Sequence, residues 1–428
     1  MRLRLSVLLA CLACGVTSVA WAQVMTSASG PSLESMSYGL QGISPRNGPV
    51  GAKLGESTLL HAALGADIGY DSNVFYEHYS PHGAAVAHVT PALDISNGER
   101  DGTAPDGVFY DLGASLTYRE YLSGGDEVRK MRAFNPALGG LLRLSSKQTL
   151  SLSLSDNFNR SQDAPYSPTA AIITHDRNVA SLELKVAPGG GRIQVLLRFN
   201  NVLDLYETTG YEQGDNMGNE GVLDLSWRWL PRTALFVQVA QGAVTYLKSG
   251  STGVASYPLR ATAGLRGLLT EKLGLNLAAG YANGFYASGV NTSGFGSVVL
   301  VGELLYNMSL TSKVGLGYRH DFVNSPFVGP FYNMDAVYAA LHEYIGGRVA
   351  TAAYVRFENR AYQGAGGRTD QVVIGGLTAD YVIQRFFYIG VGYTLTLAHT
   401  NDTDLVANSS AGVDYTKHLI VGRLGVVY

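Results

Sequence analysis

From Ser57 to the end of the chain, apolar and polar residues alternate with a period of two, the mark of strands with one apolar face. Leu150, Leu152 and Leu154 alternate with Ser151, Ser153 and Ser155. Leu182, Leu184 and Val186 oppose Ser181, Glu183 and Lys185, and Leu223, Leu225, Trp227 and Trp229 oppose Asp224, Ser226 and Arg228. Phe387, Ile389, Val391, Tyr393, Leu395 and Leu397 do the same against Gly390, Gly392, Thr394 and Thr396. Many of these runs exceed about ten residues, the length a tilted strand needs to cross a bilayer. A sandwich predicts the same alternation over shorter strands.

The connections alternate in length. Short ones include 145–148, 188–192, 230–233, 270–273, 311–313, 346–348 and the Gln384-Arg385 corner. Between them lie longer stretches at 71–83, 159–175, 207–218, 248–256, 288–294, 324–331, 362–369 and 400–411. Short periplasmic turns and longer outer loops give this rhythm, with a long periplasmic turn at 97–107 as the exception. The expected fold is all-β: a transmembrane antiparallel up-and-down β-barrel of about 18 strands over 57–428. Faces are mixed over 234–248 and 331–345. Tyr70, Tyr118, Trp229, Tyr281, Tyr318 and Tyr381 suit interfacial girdles.

The start of the chain changes the picture only by adding export. Residues 1–22 read as a secretory signal peptide: Arg2 and Arg4, an apolar stretch from Leu5 to Ala20, and cleavage between Ala22 and Gln23. Residues 23–56, without sustained period, read as a flexible periplasmic tail. Both cysteines, Cys11 and Cys14, fall in the removed segment, so the mature chain has no thiol chemistry. A net charge of −3 gives no hint of nucleic acid. The expected location is the bacterial outer membrane, in contact with lipid and lipopolysaccharide.

Projecting the alternation puts Arg119, Arg143, Arg198, Arg228, Arg260, Arg266, Arg319, Arg356, Arg360 and Arg423 in the lumen. Asp67, Asp94, Asp111, Glu183, Asp204, Asp224, Glu303, Asp321, Glu358 and Asp380 join them. These charges either brace neighbouring strands or form a constriction that selects permeants. Their near balance suits neutral hydrated solutes. Two outer loops are candidates for folding inward, 71–79 and 164–169.

No enzyme or cofactor is expected. His320 and Asp321 are adjacent in a strand and point to opposite faces, as do His342 and Glu343. His78 and His82 have the spacing of a metal pair but no clear third ligand, so no metal site is assigned.

The last residues carry an insertion signal. Ile420, Leu424, Val426 and the terminal Tyr428 share one face, with Arg423 on the other. This resembles the closing strand read by the barrel assembly machinery. Gly48 to Leu60, followed by Gly69-Tyr70-Asp71-Ser72-Asn73-Val74-Phe75, resembles the entry to the β-barrel porin 2 family, with Tyr70, Asp71, Asn73 and Phe75 matching its signature. Glu56 and Ser57 depart from it, standing where an aromatic is common. The resemblance implies exopolysaccharide or capsule export across the outer membrane, with a periplasmic polysaccharide export protein as partner. The residues alone imply a water-lined barrel, and leave open a diffusion porin for small hydrophilic solutes or a non-transporting structural or adhesion barrel.

Overall fold

The computed structural model describes residues 51–428 apart from Glu56, 98–106, 145–148, 163–171, 249–252, 287–295, Ala365, Arg385 and 409–412. The signal segment, most of the tail, the long periplasmic turn and the 164–169 loop lie outside the described residues.

Nineteen strands form one sheet. A short β1 (Ala52–Lys53) precedes β2 (Leu59–Asp71), β3 (Ala84–Ser96), β4 (Val108–Tyr121), β5 (Ala133–Leu144), β6 (Leu150–Gln162) and β7 (Thr174–Val186). Then come β8 (Ile193–Tyr206), β9 (Asn216–Leu230), β10 (Thr233–Tyr246), β11 (Leu259–Leu268), β12 (Leu273–Asn283) and β13 (Gly296–Asn307). The last six are β14 (Ser312–Asn324), β15 (Phe331–Ile345), β16 (Val349–Tyr362), β17 (Thr369–Gln384), β18 (Phe387–Thr400) and β19 (Tyr415–Val427). Each of β2–β19 pairs antiparallel with its sequence neighbour, and β19 pairs with β2, so 18 strands close into a barrel. Closure satisfies every strand edge, the condition for a sheet in lipid.

The outward positions carry Leu64, Leu93, Leu138, Leu154, Val237, Leu316, Leu377 and Ile420, all well exposed because they meet lipid rather than a protein core. Tyr70, Tyr281, Tyr318, Tyr381 and Trp229 are exposed on the same face, and Tyr118 packs on outward Phe134 with ring centroids 4.7 Å apart.

The periplasmic turns are tight where the sequence permits. Between β15 and β16, Gly346 and Gly347 have φ of 58° and 69°, and Arg348 N–H donates to Ile345 C=O at 3.1 Å. Two consecutive positive φ values define the turn that matches strand twist, and they favour glycine. The outer connections are longer, and among the described residues three hold short helical turns, Gly125–Arg129, Glu212–Gly214 and Thr403–Asn408. The first of these belongs to a ninth outer connection, 122–132, which the sequence rhythm leaves unassigned.

The tail boundary needs a correction. Ala52 and Lys53 pair with Leu60 and Leu59, and Leu54 N–H donates to Thr58 C=O at 3.0 Å. The end of the segment expected to be flexible therefore folds back on β2. It occupies the place beyond the end of β19, whose terminal Tyr428 exchanges backbone hydrogen bonds with Ala62.

Candidate functional site

The lumen wall is built from inward side chains that neutralise one another. Glu358 on β16 is clamped between Arg356 and Arg360 of the same strand, with Arg360 Nε donating at 2.8 Å. Residues two apart in a strand share a face, so this triad follows directly from the alternation. Asp321 accepts from Arg319 at 2.9 Å and from Arg260, three strands away, at 3.3 Å. Asp224 on β9 takes a bidentate pair from Arg266 on β11, at 2.6 and 2.9 Å. Arg198 holds Glu183 at 2.6 Å, and Arg423 stands 3.5 Å from Asp380. Glu303 accepts from Asn276 at 2.9 Å and from the Tyr338 hydroxyl at 2.7 Å.

The remaining charges expected in the lumen have milder surroundings. Arg143 donates to Ser153 Oγ at 3.2 Å, and Arg119 to the Gln162 carbonyl at 3.1 Å. Asp111 sits on β4 opposite Ser96 and Leu141. Arg228 lies near the periplasmic end of β9, its backbone N–H on Arg192 C=O at 2.7 Å.

Aromatic rings underlie several of these pairs. The Phe236 ring covers Gly264 on β11, where a Cβ would lie 2.8 Å from the ring, and Arg266 stacks on that ring at 4.6 Å. The Tyr338 ring covers Gly317 on β14, with 2.1 Å left for a Cβ, and Arg356 lies 5.7 Å over it. The order is the same each time: glycine, ring, guanidinium, carboxylate. Glycine leaves room for the ring against the wall, and the ring's electron-rich face attracts the cation. Arg360 over Tyr332, Arg368 over Tyr362 and Arg260 over Phe322 extend this tiling. Arg368, in the outer connection before β17, feels burial, which opposes its charge. Its hydrogen bonds to Asp370 at 2.6 and 2.8 Å prevail and raise its pKa.

Sequence reasoning missed Glu220, Arg177, Arg368, Asp370 and Lys417. Glu220 shares the parity of Asp224 and accepts from Asn200 at 3.2 Å, so longer projection of β9 finds it. Lys417 bridges to Asp71 at 2.9 Å and lies 3.9 Å over the Tyr76 ring.

Two features narrow the outer mouth. The first is the connection 72–83. Asn73 is fully buried, donating to Glu77 C=O at 2.8 Å and Thr416 C=O at 3.1 Å while accepting from Glu77 N–H at 2.8 Å. Asp71 accepts from Asn73 N–H at 3.0 Å and from the Tyr121 hydroxyl at 3.2 Å. Val74 packs on Val86, Tyr121 and Val128, and Tyr76 meets Tyr415 edge to face at 5.0 Å. Val86, Tyr121 and Tyr415 have the inward parity of their strands, so the loop is drawn inward. Tyr70 and Phe75 take no part in those bonds: Tyr70 faces outward beside Gly83, and Phe75 meets His82 edge to face at 5.7 Å.

The second is the connection 325–330. Phe327 stands edge to face with Tyr206 at 5.0 Å and with Tyr211 at 5.6 Å. Tyr206 ends β8 and Phe327 follows β14, so this contact is a chord across the mouth that cuts off β9–β13. Behind it Phe322, Phe331, Ala282 and Val299 cluster with Tyr286, and Asn324 Nδ2 donates to Ser256 Oγ at 3.0 Å.

The histidines diverge. His78 contacts Asp414 at 3.0 Å while His82 contacts Glu77. His320 meets Asp335 at 2.8 Å on the outside of the wall, whereas Asp321 pairs on the inside.

No protein-family model matches the chain, and no curated protein matches it. The β-barrel porin 2 likeness therefore stands on its few residues alone. Among solved structures, the chain is similar to the outer membrane protein opdK of Pseudomonas aeruginosa, at 11% identity and TM-score 0.45, covering 86% of this chain and 99% of that one. It is similar to OccAB3 of Acinetobacter baumannii, at 11% identity and TM-score 0.46, with coverage of 86% and 99%. The alcaligin receptor FauA of Bordetella pertussis gives 13% identity and TM-score 0.39, with coverage of 86% and 76%. The closed antiparallel sheet, its apolar exterior and its aromatic rims are properties of the chain itself. They make it an 18-stranded β-barrel of the bacterial outer membrane with a polar, charge-paired lumen.

Proposed function

We propose that this barrel is a diffusion channel for small hydrophilic solutes. The observation that carries this reading is the chord at the mouth, Phe327 against Tyr206 and Tyr211, together with the first loop laid on the inner wall. Both reduce the opening that 18 strands would otherwise enclose. The wall supports the same reading, because paired charges present local dipoles rather than a field of one sign. Such a lining tolerates neutral sugars and small ions of either charge.

Export of a polysaccharide chain draws no support from these features, since a moving polymer needs a wide and continuous path. The export-protein partner loses its ground with it. A non-transporting barrel predicts a filled lumen, whereas the inward side chains of β6 include the small polar residues Ser153, Ser155, Asn157 and Asn159, none of them buried.

Swelling of proteoliposomes tests the proposal. Pentoses and hexoses should enter quickly, and rates should fall steeply for tri- and tetrasaccharides. Absence of swelling with any sugar, in barrels shown to be folded by heat modifiability, sinks the proposal.

A further inference from the structure

A recess of about 160 Å³ opens in the lumen wall where β17, β18, β19, β2 and β3 run side by side. Its floor is short of side chains. Thr378 on β17 lies opposite Gly392 on β18, Gly392 opposite Val421 on β19, and Val421 opposite Gly69 on β2. All four have the inward parity of their strands, shared with buried Asp380, Arg423 and Asp71. A Cβ at Gly392 would lie 3.1 Å from Val421 Cγ2 and 3.5 Å from Arg423 Cδ, so a side chain there would occupy the recess. Gly69 has no alternative, because its Cβ would lie 1.9 Å from the Ile420 carbonyl oxygen.

The rim is chemically mixed. On its periplasmic side Asp380, Gly390, Arg423, Asp67 and His88 follow one another in register, and Arg423, Asp67 and His88 line the recess. On its outer side Thr394 lies opposite Leu419, which packs on the cluster of Val74 and Val86 beneath the first loop. The recess therefore lies just inside the narrowing that this loop makes. Glu183, Asp224, Glu303, Asp321, Glu358 and Asp380 each have a partner within 3.5 Å. Asp67 is half-buried and has no hydrogen bond or ion pair among the described residues. Arg423, opposite it in register, leans to Asp380 instead, at 3.5 Å.

We infer that this recess binds one ring of a neutral monosaccharide in transit, a reading that rests on the channel proposed above. A cavity of about 150 Å³ holds a single six-membered ring. A sugar ring has apolar C–H faces and a rim of hydroxyls that both donate and accept. Leu419 and Val421 offer the apolar side. Asp67 only accepts, Arg423 only donates, and the hydroxyls of Thr378 and Thr394 do both. Neighbouring hydroxyls of one ring can thus bridge Asp67 and Arg423, which do not pair directly. An anion would bring its charge against Asp67, and a cation against Arg423. A small zwitterion would answer those two groups but leave the threonines and the apolar side unused.

Uptake of labelled glucose into proteoliposomes tests this. The initial rate should level off as glucose rises. A second hexose should compete, whereas gluconate and glycine at equal concentration should not. Asp67→Leu removes a charged acceptor and should raise the half-saturating concentration about tenfold or more. Thr394→Val keeps the side chain's shape and should raise it about threefold; it carries the comparison if Asp67→Leu fails to fold. Uptake strictly proportional to concentration would overturn the inference and leave the channel reading standing, whereas no uptake by folded barrels would remove both. Saturation that neither substitution moves, or stronger competition from gluconate or glycine than from the hexose, would also overturn it.

Discussion

The lumen wall has two unlike halves. Along β9–β17 several inward side chains are large, charged and almost closed to solvent: Glu220 is 2% exposed, Arg356 3% and Glu358 4%. Along β5 and β6 they include Asn135, Gly139, Ser153, Ser155, Asn157 and Asn159, none of them buried, and the charged groups there and on β7, Arg143, Arg177, Glu183 and Lys185, keep some exposure. The dense half lies largely where the chord of Phe327 and the loops behind it cover the wall. The open half has no such cover among the described residues. The difference teaches that charge in a lumen need not mark the permeation path. On the proposed reading, the most deeply buried charge pairs stiffen one side, and solute passes along the other.

The largest effect that could break this contrast comes from the Glu358 triad. Glu358→Ala leaves two buried guanidinium groups without their anion and should destabilise the barrel by about 3–5 kcal/mol, measured by urea unfolding in detergent. Arg143→Ala, on the open half, should cost about 1 kcal/mol or less. Equal losses would dissolve the distinction. Gly317→Ala comes next, because its Cβ would meet the Tyr338 ring; a cost of about 1–3 kcal/mol is expected, against little change for Gly302→Ala, where the nearest atom is 3.6 Å away. Asn73→Ala removes the side chain that holds the first loop inward and should cost about 1–3 kcal/mol, with faster proteolysis near residue 77. The smallest effect on stability, yet the most telling for transport, is Phe327→Ala. It should raise single-channel conductance and admit larger sugars while shifting the unfolding midpoint little.

The fold was legible because period-two alternation survives wherever one face meets lipid and the other meets water. It failed over 234–248 and 331–345, and the structure gives the reason. β10 turns Phe236, Ala240 and Val244 inward, and β15 turns Tyr332, Met334, Ala336 and Tyr338 inward. Those apolar groups line the dense half, beneath guanidinium groups and loops, so both faces of these strands look alike. The arginines and acids two apart in a strand could be placed from parity. Arg260 with Asp321 could not, since that pair spans three strands. Nor could the chord: nothing in residues 325–330 announces that Phe327 will reach Tyr206 and Tyr211. Of the four signature residues, Asp71 and Asn73 acquire a physical role as the bonds that fold the first loop inward. Tyr70 and Phe75 acquire none beyond their place at the strand end.

The central claim is that solute passes the open half of a narrowed barrel. Single-channel recording in planar bilayers tests it most directly, with Ser155→Arg on the open wall compared with Thr262→Arg on the dense wall and with the unaltered chain. The account predicts steady conductance from the unaltered chain and a shift toward anion selectivity with Ser155→Arg. Long neutral oligosaccharides should leave its current unblocked, because they cannot enter. Contradiction would come from selectivity that responds to Thr262→Arg and ignores Ser155→Arg, or from current that long oligosaccharides block.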